Sequence, residues 1–141
     1  MSLIDDLIRK GRLKPVTFAT DMCAKEYEVG KRDLVSAEKS FTDGNYKWAT
    51  IQAYFAIFHA VRSLVYKAGY REESHTALKL AFKGLYIGTG KLSQAVFDAL
   101  ERGMDLREMA DYKENFSQSG AEHLIKAVKQ SLLEINAIFE K

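Results

Sequence analysis

The sequence predicts an all-α fold, an antiparallel up-and-down bundle of five to six helices, and three observations carry that prediction. Apolar residues recur at three- and four-residue spacing through most of the chain, proline occurs once, and the segments that interrupt the pattern are short. A chain of 141 residues, 47% apolar and 28% charged, can bury one sizeable core and reads as a single domain over 1–141. Within it, residues 1–15 form a short amphipathic helix and a linker, and residues 20 to 140 form the bundle.

The first helix, residues 2 to 10, carries Leu3, Ile4, Leu7 and Ile8 on one side and ends at Gly11 and Pro15. It is too short to be stable alone, so its apolar stripe should pack on the bundle or across a dimer interface. A second helix runs from Asp21 to about Phe41 with Tyr27, Leu34, Ala37 and Phe41 inward, weakened by Gly30 and stopped by "TDGN". The third, Tyr46 to about Ala68, places Trp48, Ile51, Phe55, Phe58 and Val65 on one face and Ala53, Ala56 and Ala60 on the other. Such a helix is buried nearly all round, its alanine face admitting a neighbour at close range and its aromatic face filling the core. It is expected to be the central helix. Ser74 can cap a fourth helix reaching about Tyr86, and Ser93 a fifth from Gln94 to about Lys113, with "GYREES" and "IGTGKLS" as loops. Ser119 and Glu122 stand at capping-box spacing before the last stripe, Leu124, Val128, Leu132, Ile135 and Phe139.

Charge and cysteine usage exclude several classes. The 21 basic and 19 acidic side chains leave a net charge of +2, with no strong electrostatic bias toward nucleic acid or membranes, which neither supports nor excludes nucleic-acid binding. The lone Cys23 cannot form an internal disulfide, and neither a secretory signal nor a membrane-spanning run is visible, which reads as a cytoplasmic protein. The histidines and Cys23 lack ligand-like spacing, no helical Glu-x-x-His motif stands out, and "GTGK" lacks the glycine spacing of a phosphate-binding loop. Neither a metal nor a cofactor is expected.

The chemistry worth following lies in "LREMADYKENF". Continuing the stripe of Val96, Leu100 and Met104 brings Arg107 and Asp111 onto positions where apolar groups belong, and Arg62 falls likewise on the apolar face of the third helix, with His59 one turn before it. Buried charge must be paired. Two arrangements satisfy this. Arg62, Arg107 and Asp111 can form a closed ion-pair network that fixes helix register, the stronger account of the charges alone. They can instead line a cleft between the third and fifth helices in which the arginines hold a phosphate. A lone histidine such as His59 is more often a hydrogen-bonded core residue than a catalyst.

The segments "NYKWATIQAYFAIFHAVRSLVYKAG", "ESHTAL", "TGKLS" and "LREMADY", followed by a closing amphipathic helix, together resemble the HEPN domain over about residues 20 to 140. The resemblance implies a helical bundle that often forms homodimers and is often paired with a small nucleotidyltransferase in toxin-antitoxin or defence systems. It also implies kinship with metal-independent ribonucleases, in which an arginine is followed after four to six residues by a histidine. Arg107 matches that arginine, but Tyr112, Lys113 and Glu114 occupy the positions where the histidine would stand. A tyrosine is a poor base at neutral pH.

The expected function is therefore a nucleotide- or RNA-binding or regulatory module with a degenerate ribonuclease motif and no assigned catalytic residue. Arg62, Arg107, Asp111, Tyr112 and His59 are its candidate ligand-binding residues. Two alternatives are a ribonuclease that uses Arg107 with His59, and an assembly protein without a ligand.

Overall fold

The computed structural model describes residues 2–17 and 20–140, six helices and one small sheet in the order α1 (Leu3–Arg9), β1 (Leu13–Pro15), α2 (Thr20–Thr42), α3 (Tyr46–Lys67), β2 (Tyr70–Glu72), α4 (His75–Phe82), α5 (Gln94–Tyr112) and α6 (Gln118–Phe139). The architecture is an all-α helical bundle. Helix α3 is its centre, packing on α2, α5, α6 and α4, and Ala53, Ala56, Ala60, Val61 and Leu64 are wholly buried. The alanine face does what its size suggests. A Cβ built on Gly30 of α2 would stand 2.8 Å from the Ala56 carbonyl oxygen and 3.1 Å from the Ala60 nitrogen. Gly30 is thus the point of closest approach between two backbones rather than a weak spot in a helix.

The other face of α3 departs from expectation at one end. Trp48 is 50% exposed, with the Lys47 ammonium 5.9 Å from the indole, while its neighbours Tyr46 and Ala49 in the same turn face the core. Helix α6 buries Leu124, Val128, Leu132 and Ile135 as its periodicity requires. It starts earlier than the capping-box spacing implied. Ser117, not Ser119, accepts from the Gly120 N–H at 2.9 Å. Ser93 does occupy the N-cap position of α5, but its hydroxyl donates to Glu134 of α6 and its N–H to the same carboxylate, so it ties two helices together instead of capping one.

Two segments read as loop and linker pair as strands. Leu13, Lys14 and Pro15 lie antiparallel to Glu72, Arg71 and Tyr70, and the buried Leu13 anchors the ribbon to the core. Helix α1 packs on the bundle with Leu7 buried, and Ile4 lies over Gly84, where a Cβ would approach its methyl to 3.1 Å. Gly84 belongs to a widened helical turn, Lys83–Ile87, that continues α4 to about the end the sequence suggested. Among the described residues no helix is long and apolar enough to cross a membrane.

Candidate functional site

Helix α5 comes closest to Tyr54 of α3 at Gly103. A Cβ at Gly103 would lie 3.2 Å from Tyr54 Cδ1, so the tyrosine ring is pinned beneath α5. Beyond that point Met104, Leu106 and the wholly buried Ala110 keep α5 on the core, while Arg107 stands among them. An open cleft of about 280 Å³ lies here, lined by Tyr54 from α3, His75, Thr76 and Lys79 from α4, and residues of α5 including Met104, Arg107 and Tyr112. Its third wall, α4, was absent from the two-helix cleft read from the sequence.

Arg107 is set by its neighbours on both sides. Its guanidinium lies 5.5 Å from the centre of the Phe55 ring and 5.4 Å from that of Tyr112, a cation held between two aromatic faces. One terminal nitrogen is 3.3 Å from Asp111, one helical turn on. The pair is not enclosed, with side chains 25% and 35% exposed, and the buried Arg107 Nε makes no hydrogen bond among the described residues. Tyr112 is 70% exposed. Lys79 reaches Glu101 at 3.4 Å. Glu101, Asp105 and Glu108 also line the cleft but stand on its solvent rim, so the charge is mixed, with Arg107 set deeper than the acids.

His75 was not among the residues singled out. It is the first residue of α4, whose N-cap Ser74 accepts from the Ala77 N–H at 3.1 Å. Its Nδ1 is 2.7 Å from the Tyr54 hydroxyl and its ring centroid 4.4 Å from that of Phe58. The residue as a whole is exposed, but partial desolvation of its ring, followed by the positive charges of Arg107, Arg62 and His59, lowers its pKa below the ordinary histidine value. Burial also pushes the Tyr54 phenol up to about 12, so it stays protonated at any physiological pH. The sequence signal was slight: a histidine beside a capping serine. Only the packing of α4 against α3 and α5 brings it to Arg107.

Arg62 and His59 are placed elsewhere, and the single Arg62, Arg107 and Asp111 network does not form. His59 Nδ1 is 2.7 Å from Glu26 and its Nε2 3.9 Å from Asp33, both on α2. Arg62 is 3.6 Å from the same Glu26 and 2.9 Å from Glu72 of β2. That last contact lies off the N–H axis, a pairing of charges rather than an aligned hydrogen bond. Phe58 stands between the two clusters, its ring 5.2 Å from that of His59 and 5.8 Å from the Arg62 guanidinium. The five candidate residues are thus divided. Arg107 and Tyr112 line the cleft with Asp111 beside them, whereas His59 and Arg62 belong to an ion-pair cluster on the α2 side of Phe58.

Comparison with known proteins agrees with this architecture. The chain is 25% identical over 116 residues to a Methanocaldococcus jannaschii protein named "Putative toxin MJ0605", covering 77% of this chain and 87% of that protein. It is 23% identical over 88 residues to a second protein of the same organism, named "Putative toxin MJ0142", covering 62% of this chain and 60% of that one. The HEPN domain family model matches residues 25–136, which include every wall of the cleft and both arginine clusters. The chain belongs to the HEPN domain family.

Proposed function

We propose that this chain is a toxin-type HEPN module whose α4–α5 cleft binds a phosphate-bearing ligand, RNA or a nucleotide, and that it works as a homodimer paired with a small nucleotidyltransferase. The observation that carries the reading is Arg107, held between Phe55 and Tyr112 at the inner end of an open cleft, with a buried Nε that no described residue satisfies. A guanidinium pre-positioned in this way can offer a forked pair of donors to a phosphate. Lys79 adds a second cation once it leaves Glu101. The names of the two relatives and the family support the toxin-type setting.

The acids on the rim restrict what can enter. A duplex backbone laid across the cleft would meet Glu101, Asp105 and Glu108, whereas a single phosphate entering end-on reaches Arg107. The ligand class that fits is a mononucleotide or a single strand with one or two phosphates engaged, giving a shallow salt dependence. Exposed Tyr112 offers a face on which a base can stack. Helix α5 carries no histidine of its own after Arg107, so phosphate binding is the property that this helix supports by itself.

The test is fluorescence anisotropy with a labelled, short, single-stranded oligoribonucleotide. Arg107→Ala should weaken binding by about tenfold or more, the loss expected for one charge-assisted hydrogen-bonding group. Equal affinity in wild type and variant, or no binding by either, would remove the cleft reading. Sedimentation of the full-length chain tests the homodimer, and co-purification with the product of an adjacent nucleotidyltransferase gene tests the partner.

A further inference from the structure

We propose that a single strand of RNA engaged at Arg107 continues along the outer face of α3, its bases stacking on Tyr112 and Trp48. The inference rests on the phosphate-binding reading of Arg107 and chooses the single strand over the mononucleotide.

The exposed aromatic residues gather at one end of the molecule. Among the described residues, the large aromatic side chains that stand exposed are Trp48, Tyr112 and Phe116, on the first turn of α3, the last turn of α5 and the connection that follows it. Asn45 caps α3 by accepting from the Trp48 N–H at 3.4 Å, which fixes the turn that carries the indole. Lys47 ties that turn to the end of α5. Its ammonium lies 5.9 Å from the centre of the indole and 2.6 Å from Glu114, two residues beyond Tyr112.

Helical geometry supplies the connection to Arg107. Trp48 and Phe55 are seven residues apart, nearly two full turns, so they share one stripe of α3 and stand about 10 Å apart along its axis. Between them Ile51 is buried and Gln52 is turned to Ser40 of α2. Phe55 in turn carries the Arg107 guanidinium, with Tyr112 on its other side. Rings and cations therefore alternate, Trp48 with Lys47 and then Phe55 and Tyr112 with Arg107. A single strand needs that composition, flat faces for its bases and positive charge for its backbone. The separation equals about three bases stacked at about 3.4 Å. A strand with a phosphate on Arg107 reaches Trp48, and a mononucleotide does not. A protein partner fits less well, because the core of a protein interface is depleted of lysine and glutamate, and Lys47 and Glu114 stand beside the indole.

Trp48 is the single tryptophan of the chain, so its emission reports on this patch alone. In the full chain, an oligoribonucleotide of about six nucleotides should quench that emission with the midpoint that anisotropy gives, whereas a ribonucleoside monophosphate should leave it unchanged. Trp48→Leu, checked for native circular dichroism, should weaken the oligoribonucleotide by about tenfold, and Trp48→Phe, which keeps a ring, should recover most of that loss. An abasic strand of equal length, with phosphates and no bases, should bind wild type and Trp48→Leu alike. Binding by anisotropy with unchanged emission, and with full affinity in Trp48→Leu, overturns the stacking path and leaves the phosphate site standing. Emission that follows protein concentration and ignores RNA assigns the patch to a second copy of the chain and overturns it equally. Absence of any binding removes the phosphate site, and with it this inference.

Discussion

Two arginine–histidine pairs face each other across Phe58, and their surroundings differ in a way that separates structural charge from chemically available charge. On the α2 side, His59 and Arg62 share the carboxylate of Glu26, and Glu72 closes the group with a side chain only 5% exposed. On the α5 side, His75 is held by a neutral phenol and Arg107 by an aspartate about a third exposed, and among the described residues no carboxylate joins the two. The first cluster already contains its counter-ions. The second has only the partly exposed Asp111 as a counter-ion and is otherwise positioned by a phenol and two aromatic rings, which leaves it able to accept an anion from outside.

The comparison is broken most severely at Arg62. Arg62→Ala would strand the buried Glu72 carboxylate and should cost about 3 kcal/mol in chemical denaturation, the lower end for removing one partner of a buried pair. The pH dependence has a definite sign. Burial already raises the Glu72 pKa above its ordinary 4.5, with Arg62 opposing that shift. A carboxyl whose folded pKa exceeds its unfolded one takes up a proton as pH falls, favouring the folded state. The loss should therefore be largest at neutral pH and shrink as pH falls through the raised value toward 4.5. A loss independent of pH would mean that Glu72 is not the stranded group.

Gly30 sets the closed side in place. Glu26 and Asp33 flank it on α2, and they reach His59 because the backbones of α2 and α3 nearly touch there. Gly30→Ala should destabilise by about 2 kcal/mol, typical of an extra methyl forced between packed backbones. It should also loosen the Glu26–His59 contact. Stability unchanged within about 0.5 kcal/mol would show that α2 can shift without penalty.

How much of this could be read beforehand follows from which interactions are local. The helices were legible because their apolar residues repeat along the chain, and α1 packs on the bundle because its stripe is too short to stand alone. Gly30 was read by propensity, which is blind to the backbone lying across from it. Arg107 announced itself as a charge on an apolar stripe, but whether the stripe was still covered at that turn depended on Gly103, Tyr54 and the place of α4. His75 carried no periodic signal. It matters because three elements from distant parts of the chain meet at its ring, and the same reasoning missed the ribbon of Leu13–Pro15 with Tyr70–Glu72.

His75 offers a direct reading of the open side. Its pKa lies below 6.5 through partial desolvation of its ring, then through the nearby positive charges, Arg107 first among them. The NMR titration of its ring protons should have a midpoint below the ordinary value, and Arg107→Ala should move that midpoint upward. Because the folded ring resists protonation, its contribution to stability is present above the ordinary histidine pKa and is lost as pH falls through that value toward the folded one. A midpoint that ignores Arg107 would separate the two residues that the cleft is meant to unite.

The smallest effect belongs to Asp111 and is the most discriminating. A closed interior pair would lose about 3 to 5 kcal/mol on Asp111→Ala. The side chains are instead a quarter and a third exposed, the separation is 3.3 Å, and the partner is one turn away on the same helix. Such a pair is worth less than about 1 kcal/mol, so denaturation of Asp111→Ala should barely differ from wild type. Removing the aspartate also frees an Arg107 that Phe55 and Tyr112 continue to hold. Binding of a single-stranded oligoribonucleotide should therefore be retained or strengthened in Asp111→Ala, the reverse of Arg107→Ala. A large loss of stability would place Asp111 with the closed cluster, and a loss of binding at full stability would make it part of the ligand's own recognition, holding Arg107 in the orientation that the phosphate requires.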